Sequence, residues 1–479
     1  MILTVAKKEF VDAWRDGRFR IGGVFVLVLL LVSGLLARQQ VQRARAEREA
    51  ATELERENWL EQGDKNSHSA GHYGLNVFKP ISPLALFDRG VEPFVGTTIF
   101  LEAHRQNQTA FLPAQDATAM RRFGELSAAL ALQVLVPLLI ILLAFGSLAA
   151  ERERGTLRQA LSLGVHPRSL VLGKALGLGL SIVTLLALPA IAFGVFVMQL
   201  APEVGAASAA GGVWLRAGGL LLCYAIYITV FIAISVAVSA SSRTAGAALT
   251  ILLAYWALNC VVAPRLATDV VHRFLPTPKL AEFEAQMQKD LQEGLDGHGT
   301  RSEQLDAFVV KTLQEYGKAS VEELPFNFQG HVMLESERLA GEVFDRHYGD
   351  LWDRIEAQNR SVCWIGLAAP MLALRSASMA LAGTDFAHHR HFARAAEDHR
   401  REFVRLLNED LKYNAPPGDH RYTAGRELWE KLPVFQLEQV PAAGAWSGAA
   451  GGLLVLGAWL IAALGFLTMS AGRLRVGDA

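Results

Sequence analysis

The stretch that decides the architecture runs from Ala144 to Gly177: "AFGSLAAERERGTLRQALSLGVHPRSLVLGKALG". An uncharged apolar run ends inside it at Glu151-Arg152-Glu153-Arg154-Gly155-Thr156-Leu157, and another opens at Leu170. A short helix-compatible segment separates the two, with breaks at Gly155 and at Gly164-Val165-His166-Pro167. Two long apolar stretches joined by so brief a charged hairpin read as antiparallel helices crossing a bilayer, with the hairpin at one surface.

Four more runs of the same kind bring the total to six. They are Ile21–Ala37, Leu126–Leu148, Leu170–Met198, Val213–Ala240, Ala245–Pro264 and Trp446–Met469. Each approaches the roughly 20 residues a helix needs to span the hydrocarbon core. Of the 479 residues, 51% are hydrophobic and 19% charged. The fold class expected is therefore a mainly α, polytopic membrane protein. Residues 1–20 form an amphipathic helix, 149–169 the hairpin and 470–479 a short tail. Two long, charge-rich and mostly helical domains, 38–125 and 265–445, fill the remaining connections.

Lys and Arg in short loops set orientation. Lys7, Lys8, Arg15, Arg18 and Arg20 precede the first run, Arg152, Arg154, Arg158 and Arg168 lie in the hairpin, and Arg473 and Arg475 in the tail. Residues 199–212 carry neither. Both termini and the hairpin are thus expected in the cytoplasm of a bacterium, with the two long domains outside the inner membrane. Arg38, Arg43, Arg45 and Arg48 point the other way, but long segments cross largely regardless of charge. No small-residue cleavage site follows the first run, so it is expected to remain as an anchor. Ser361–Thr384 is also apolar, but Pro370 and Arg375 interrupt it. A central Arg costs about 2.5–3.5 kcal/mol on insertion scales. This segment is expected to be buried in the outer domain or to lie on the membrane surface.

The runs hold no Asp or Glu, and their basic residues, Lys174 and Arg216, lie near run ends. Proton-coupled carriers usually need ionisable groups within the membrane, so proton coupling is disfavoured. No G-x-x-x-x-G-K-[ST] phosphate loop occurs, so the chain is not expected to hydrolyse ATP by that device. Nor does G-x-S-x-G or H-E-x-x-H. The net charge of −1 gives no basis for nucleic-acid binding. Work done by this chain needs energy from a partner. A cytoplasmic ATPase could grip the hairpin through its charges and an apolar stripe of Leu157, Leu161 and Leu163, although a solvated turn that only sets topology fits the spacing equally well.

The pattern of an apolar run, E-x-E-x-G-T-L, a short segment, a small turn and a second apolar run resembles the permease subunits of ABC-2 type transporters. In this chain it is Glu151, Arg152, Glu153, Arg154, Gly155, Thr156 and Leu157, followed by "LSLGVHPRSLVLGK". The N-terminal "MILTVAKKEFVDAWRDGRFR" is similar to the connecting helix of that class. Three segments resemble a bacterial subfamily with two large extracytoplasmic insertions: "NSHSAGHYGLNVFKPISPLALFDRGVEPFVGTTIFLEAHRQNQ" (66–108), "ELPFNFQGHVMLESERLAGEVFDRHYGDLWDRIEAQNR" (323–360) and "LRSASMALAGTDFAHHRHFARAAEDHRR" (374–401). The resemblance implies that the seven hairpin residues couple to a cytoplasmic ATP-binding cassette protein that carries ATP and Mg. It also implies a second permease subunit, identical or related, and export of an unidentified substrate. The alternatives are an ATP-driven mechanical complex acting on an envelope protein, and a membrane-anchored scaffold or sensor.

Within the runs, Gln133, Tyr224, Tyr227 and Asn259 are the polar groups that could line a pathway. Gly173, Gly177 and Gly179 permit close helix contact, and Pro137 and Pro189 are expected to kink their helices. His388, His389 and His391 cluster, with His399 nearby, and His68 and His72 are four apart. The latter pair lies in a Gly/Ser-rich stretch where helical spacing is doubtful. A His pair four apart on a helix could bind zinc or copper, and His388, His389 and His391 are the metal candidates of the second cluster, but ordinary surface or capping roles are the simpler reading for all of them, and no cofactor is expected on this chain. Asp345, Asp350, Asp353 and Glu356 read as a solvated helix face.

Overall fold

The structure is a computed structural model and describes residues 1–113, 127–200, 207–295, 299–419 and 421–475. Among these, six helices are long and apolar enough to cross a membrane: Gly17–Leu60, Ala128–Glu153, Pro167–Leu200, Gly212–Ser241, Ala245–Phe274 and Ala442–Gly472. The protein is a mainly α, multi-pass membrane protein.

Helix α1 (Ile2–Arg15) ends at Asp16, whose extended backbone turns the chain. The Asp16 carboxylate accepts from Arg18 N at 2.8 Å and so caps α2 (Gly17–Leu60). Helix α2 is one unbroken run of 44 residues. It leaves the apolar bundle as a helix, because "RQQVQRARAEREAATELEREN" has helix formers and no breaker. Within that run Arg45 is buried, and its Nη1 donates to Leu200 O at 2.9 Å. It therefore caps the last carbonyls of a membrane helix, a use for a basic residue that topology rules do not anticipate.

The second span opens with a helical turn (Ala128–Leu130), passes through a π-turn (Ala131–Leu135), continues as α4 (Val136–Ala144) and ends as α5 (Ala149–Glu153). The hairpin holds α6 (Thr156–Ser162). Helix α7 (Pro167–Leu200) contains Pro189 and stays continuous. Helix α8 (Ala207–Ser241) follows, then α9 (Ala245–Ala257), a second π-turn (Leu258–Val262) and α10 (Ala263–Phe274). The last span is α16 (Ala442–Gly472).

Glycine lets α1 approach α7. A Cβ on Gly173 would lie 2.6 Å from Val5 Cβ, and one on Gly177 2.5 Å from Ala6 O. Gly179 has no such role, since its nearest neighbour would be Ile232 Cδ1 at 3.7 Å.

The two long segments fold together at the end of the bundle away from the hairpin. The first contributes α3 (Ser67–Tyr73) and an antiparallel pair, β1 (Leu75–Phe78) and β2 (Thr98–Leu101), in register Leu75 to Leu101 and Phe78 to Thr98. Four-residue strands are too short to show alternation, so the sequence gives no sign of them. The second contributes α11 (Leu280–Glu293), α12 (Arg301–Tyr316), α13 (Phe328–Ile365), α14 (Pro370–Ala382) and α15 (Phe386–Asn414). Trp59, at the far end of α2, donates Nε1 to Trp429 O at 2.9 Å and packs edge-on against Trp429 and Phe403. Lys65 and Ala424 exchange backbone hydrogen bonds. These ties make one domain of two segments far apart in sequence.

Residues 361–384 differ from expectation. They pack among the spans themselves rather than inside the large domain. Helix α13 ends at Ile365, the chain turns, and α14 packs between α8 and α16. Trp459, midway along α16, donates to Gly366 O at 2.9 Å, so the turn reaches deep into the bundle. Pro370 starts α14 and Gly383, at φ 74°, ends it. Arg375 has a countercharge in this placement, since it lies close enough to Asp88 to favour the charged form of that carboxyl.

Candidate functional site

The hairpin is a fixed elbow. Lys174, on α7, is 3% exposed and makes ion pairs with Glu9 of α1 at 3.0 Å and Glu151 of α5 at 2.9 Å. One ammonium thus ties three helices. Arg152 donates Nη2 to Ala240 O at 2.8 Å and Nη1 to Ser242 O, capping the C-terminus of α8. Ser239 Oγ accepts from Leu148 N and Ala149 N and donates to Phe145 O. Glu153 Oε1 accepts from Ala245 N at 3.2 Å, placing a carboxylate at the positive end of α9.

Gly155 takes φ 73°, which lets the chain reverse into α6 without a Cβ penalty. Thr156 Oγ1 donates to Glu151 O. Leu157 and Leu161 turn into the bundle and are buried. The apolar stripe expected at 157, 161 and 163 is therefore split, and only Leu163, 85% exposed, faces outward. Arg154, Arg158, His166 and Arg168 are exposed beside it. Apart from Gly155, which makes the turn, the motif residues fall into two sets. Glu151, Arg152, Glu153 and Leu157 engage the protein's own helices, while Arg154 and Thr156 lie on the open face.

Gln133, Tyr224, Tyr227 and Asn259 form one continuous hydrogen-bond chain between the spans. Met371 N donates to Asn259 Oδ1 at 3.1 Å, and Asn259 Nδ2 donates to the Tyr227 hydroxyl at 3.2 Å. That hydroxyl donates to Gln133 O at 3.0 Å. Gln133 Nε2 donates to the Tyr224 hydroxyl at 2.8 Å, which lies 3.2 Å from Ser378 Oγ. Ser378 in turn donates to Asp88 Oδ2 at 2.5 Å. The two π-turns sit at Gln133 and Asn259, and a π-turn leaves backbone carbonyls free of the regular ladder. The Gln133 carbonyl freed in this way receives Tyr227. Burial pushes the Asp88 carboxyl above its usual range, against the Ser378 and Gly90 hydrogen bonds that favour its charged form.

Sequence reasoning found the four span residues but not Asp88, Ser378 or the Lys174 bridge. A lone lysine inside an apolar run is the signal that points to Lys174. Asp88 and Ser378 meet only through the fold.

The histidines near 390 do not converge. His388 Nδ1 lies 2.5 Å from Asp385 Oδ1, and His391 Nε2 meets Glu438 O at 2.7 Å. His389 is buried, and that burial pushes its imidazole down to about 3.

Residues 3–293 match the family described as ABC-2 family transporter protein. Residues 281–438, most of the second long segment, match one described as Domain of unknown function (DUF3526). Over 117 residues the chain is 35% identical to "Probable ABC transporter permease protein NosY" of Pseudomonas aeruginosa. That match covers 24% of this chain and 42% of the relative, less than half its length. The first family takes in α1, the elbow and five of the six spans, which is more than half of the sequence: the chain belongs to the ABC-2 family of transporter proteins and is a membrane permease of that family.

Proposed function

We propose that this permease is driven by a separate cytoplasmic ATP-binding cassette protein, which carries ATP and Mg and docks on the exposed face of the elbow. Arg154, Thr156, Arg158 and Leu163 would meet the motor, with Leu163 as the apolar contact. Glu151, Arg152, Glu153, Gly155 and Leu157 would pass its movement into the spans. The observation that carries this reading is the double ion pair of Lys174. It joins the elbow to α1 and α7 in one rigid body, so a push on the open face moves three helices together. In this reading the hairpin and both termini face the cytoplasm, the large domain lies outside a bacterial inner membrane, and a second permease copy or a relative completes the transporter. The Asp88–Met371 hydrogen-bond chain is the element that must rearrange to open a route. Export of a substrate outward follows from the class.

Co-expression with the ATP-binding partner tests this. Charge reversal at Arg154 and Arg158 should abolish co-purification and the stimulation of ATP hydrolysis. The reading fails if the double variant keeps both, or if a membrane-impermeant reagent labels Arg154→Cys from outside the cell.

One feature favours a second reading, mechanical work on an envelope protein. Helix α2 runs unbroken from the bundle into the large domain and is fastened there by Trp59. Movement of the spans would then reach the domain without a soft joint. Substrate flux in vesicles separates the two readings, since the mechanical one expects none.

A further inference from the structure

Three imidazoles from the first long segment converge in the large domain. Asn66 accepts from His68 N at 3.0 Å and caps α3, so "SHSAGHY" is helical and His68 and His72 stand one turn apart on one face. The third, His104, follows β2. Its backbone is left-handed, with φ 65°, a conformation that costs a non-glycine residue about 1–2 kcal/mol. Glu337 of α13 holds it there, accepting from His104 N at 2.7 Å and facing His104 Nδ1 at 2.5 Å. The result is a cluster in which one ring nitrogen from each of the three lies within 4.8 Å of the other two. His68 Nε2 is 3.2 Å from His72 Nε2 and 3.1 Å from His104 Nε2.

Two imidazole nitrogens bound to one zinc at 2.0–2.1 Å with tetrahedral angles stand about 3.4 Å apart. The observed spacings are within about 0.3 Å of that value. The outer partners suit a metal as well. His68 Nδ1 meets Asn408 Oδ1 at 2.9 Å, and His104 Nδ1 meets the Glu337 carboxylate, itself held by Arg400 Nη1 at 3.0 Å. A ring that donates its Nδ1 proton to such an oxygen presents a bare lone pair at Nε2. With His68 Nδ1 turned to Asn408 and His104 Nδ1 within ion-pair distance of Glu337, both rings are free to offer Nε2 to a cation. His72 is exposed, which leaves the point open to solvent on one side.

We propose that His68, His72 and His104 bind one zinc-class divalent cation through their Nε2 atoms, with water in the fourth position. An all-imidazole set selects a borderline cation over a soft one, and the cysteines, Cys223, Cys260 and Cys363, lie elsewhere. The ion would join α3 to the end of β2. Through Asn408 and Glu337 it would fasten both to α15 and α13, locking the two long segments together.

Cobalt titration of the full-length chain in detergent, after chelator treatment, tests the site. The visible d–d bands of cobalt report its coordination, and zinc competition gives the affinity. The expected result is one ion per chain, bound tighter than micromolar, with zinc raising the melting temperature. His72→Ala, a change at an exposed side chain, should abolish both the cobalt bands and the zinc-induced shift. Glu337→Gln should weaken binding about 10–100-fold. His388→Ala should change nothing. Absent bands, binding weaker than micromolar, or undiminished binding in His72→Ala would overturn the proposal. A proton shared between His68 and His104 in place of a metal would give the first of these results.

Discussion

The backbone N–H of Met371 donates to the side-chain oxygen of Asn259, 112 positions earlier in the chain and 3.1 Å away. Asn259 sits in the π-turn of the fifth span, and Met371 in the first turn of α14. The first N–H groups of a helix have no partner within it. Here one of them is satisfied deep in an apolar bundle by the Asn259 side chain.

Replacing Asn259 with Leu should therefore destabilise the protein. The change orphans the Met371 N–H and removes a donor to Tyr227, and an unsatisfied buried group costs about 1–3 kcal/mol. A lowered melting temperature in detergent is the expected reading. An unchanged value would show that water replaces Asn259.

Lys174→Met should be more damaging than its single position suggests. It leaves Glu9 and Glu151 facing each other with no cation. Breaking a buried ion pair from one side costs about 3 kcal/mol or more. Adding Glu9→Gln and Glu151→Gln should recover most of the melting temperature, because no buried charge is then left over. ATPase stimulation by the partner should stay low in the triple variant, since the tie between elbow and α7 is still missing.

Gly177→Leu should displace α1 from α7, because even the first added carbon would meet Ala6 O at 2.5 Å and Glu9 Cβ at 2.7 Å. Overpacking of this kind costs about 1–3 kcal/mol. Limited proteolysis should cut the N-terminal helix faster in the variant. Gly179→Ala, two positions on, should behave as the native chain does.

Acid should weaken the large domain through His389. Burial holds its imidazole at about 3 in the folded protein, against an ordinary 6.5. Between those values the unfolded chain takes up a proton that the folded chain refuses, so stability falls as pH drops. The slope from this group is about 1.4 kcal/mol per pH unit inside the window. Above the upper value the contribution is level. His389→Met should flatten the dependence between pH 6 and 4 measured by thermal unfolding, at roughly the ordinary and depressed ends of the titration.

The spans were legible because lipid imposes a length and a composition that a sequence displays directly. The hairpin was legible as a turn because charge and glycine interrupt two apolar runs over a short distance. What was hidden depended on long-range meetings. Segment 361–384 is apolar enough for the interior, yet Pro370 and Arg375 argue against a crossing. It enters the bundle part-way because Trp459 and Asn259 receive its backbone, and neither residue advertises this. His68 and His72 looked misplaced in a Gly/Ser-rich stretch, but a single cap at Asn66 is enough for a seven-residue helix. His104 carries no local sign at all, since its position is set by a carboxylate 233 residues later. The Leu157 and Leu161 stripe was visible, but which surface it would cover was not, because periodicity reveals a face without saying what lies against it.

The unbroken run of α2 has a mechanical consequence. Forty-four residues at 1.5 Å each make a rod of about 66 Å, more than twice the thickness of the hydrocarbon core. Pivoted near one membrane surface, such a rod amplifies. A tilt of a few degrees at the inner end becomes a stroke of several ångströms at Trp59, in proportion to the length between them. Any small angular input at the bundle end would therefore arrive at the far domain as a larger translation, with the gain fixed by the residue count.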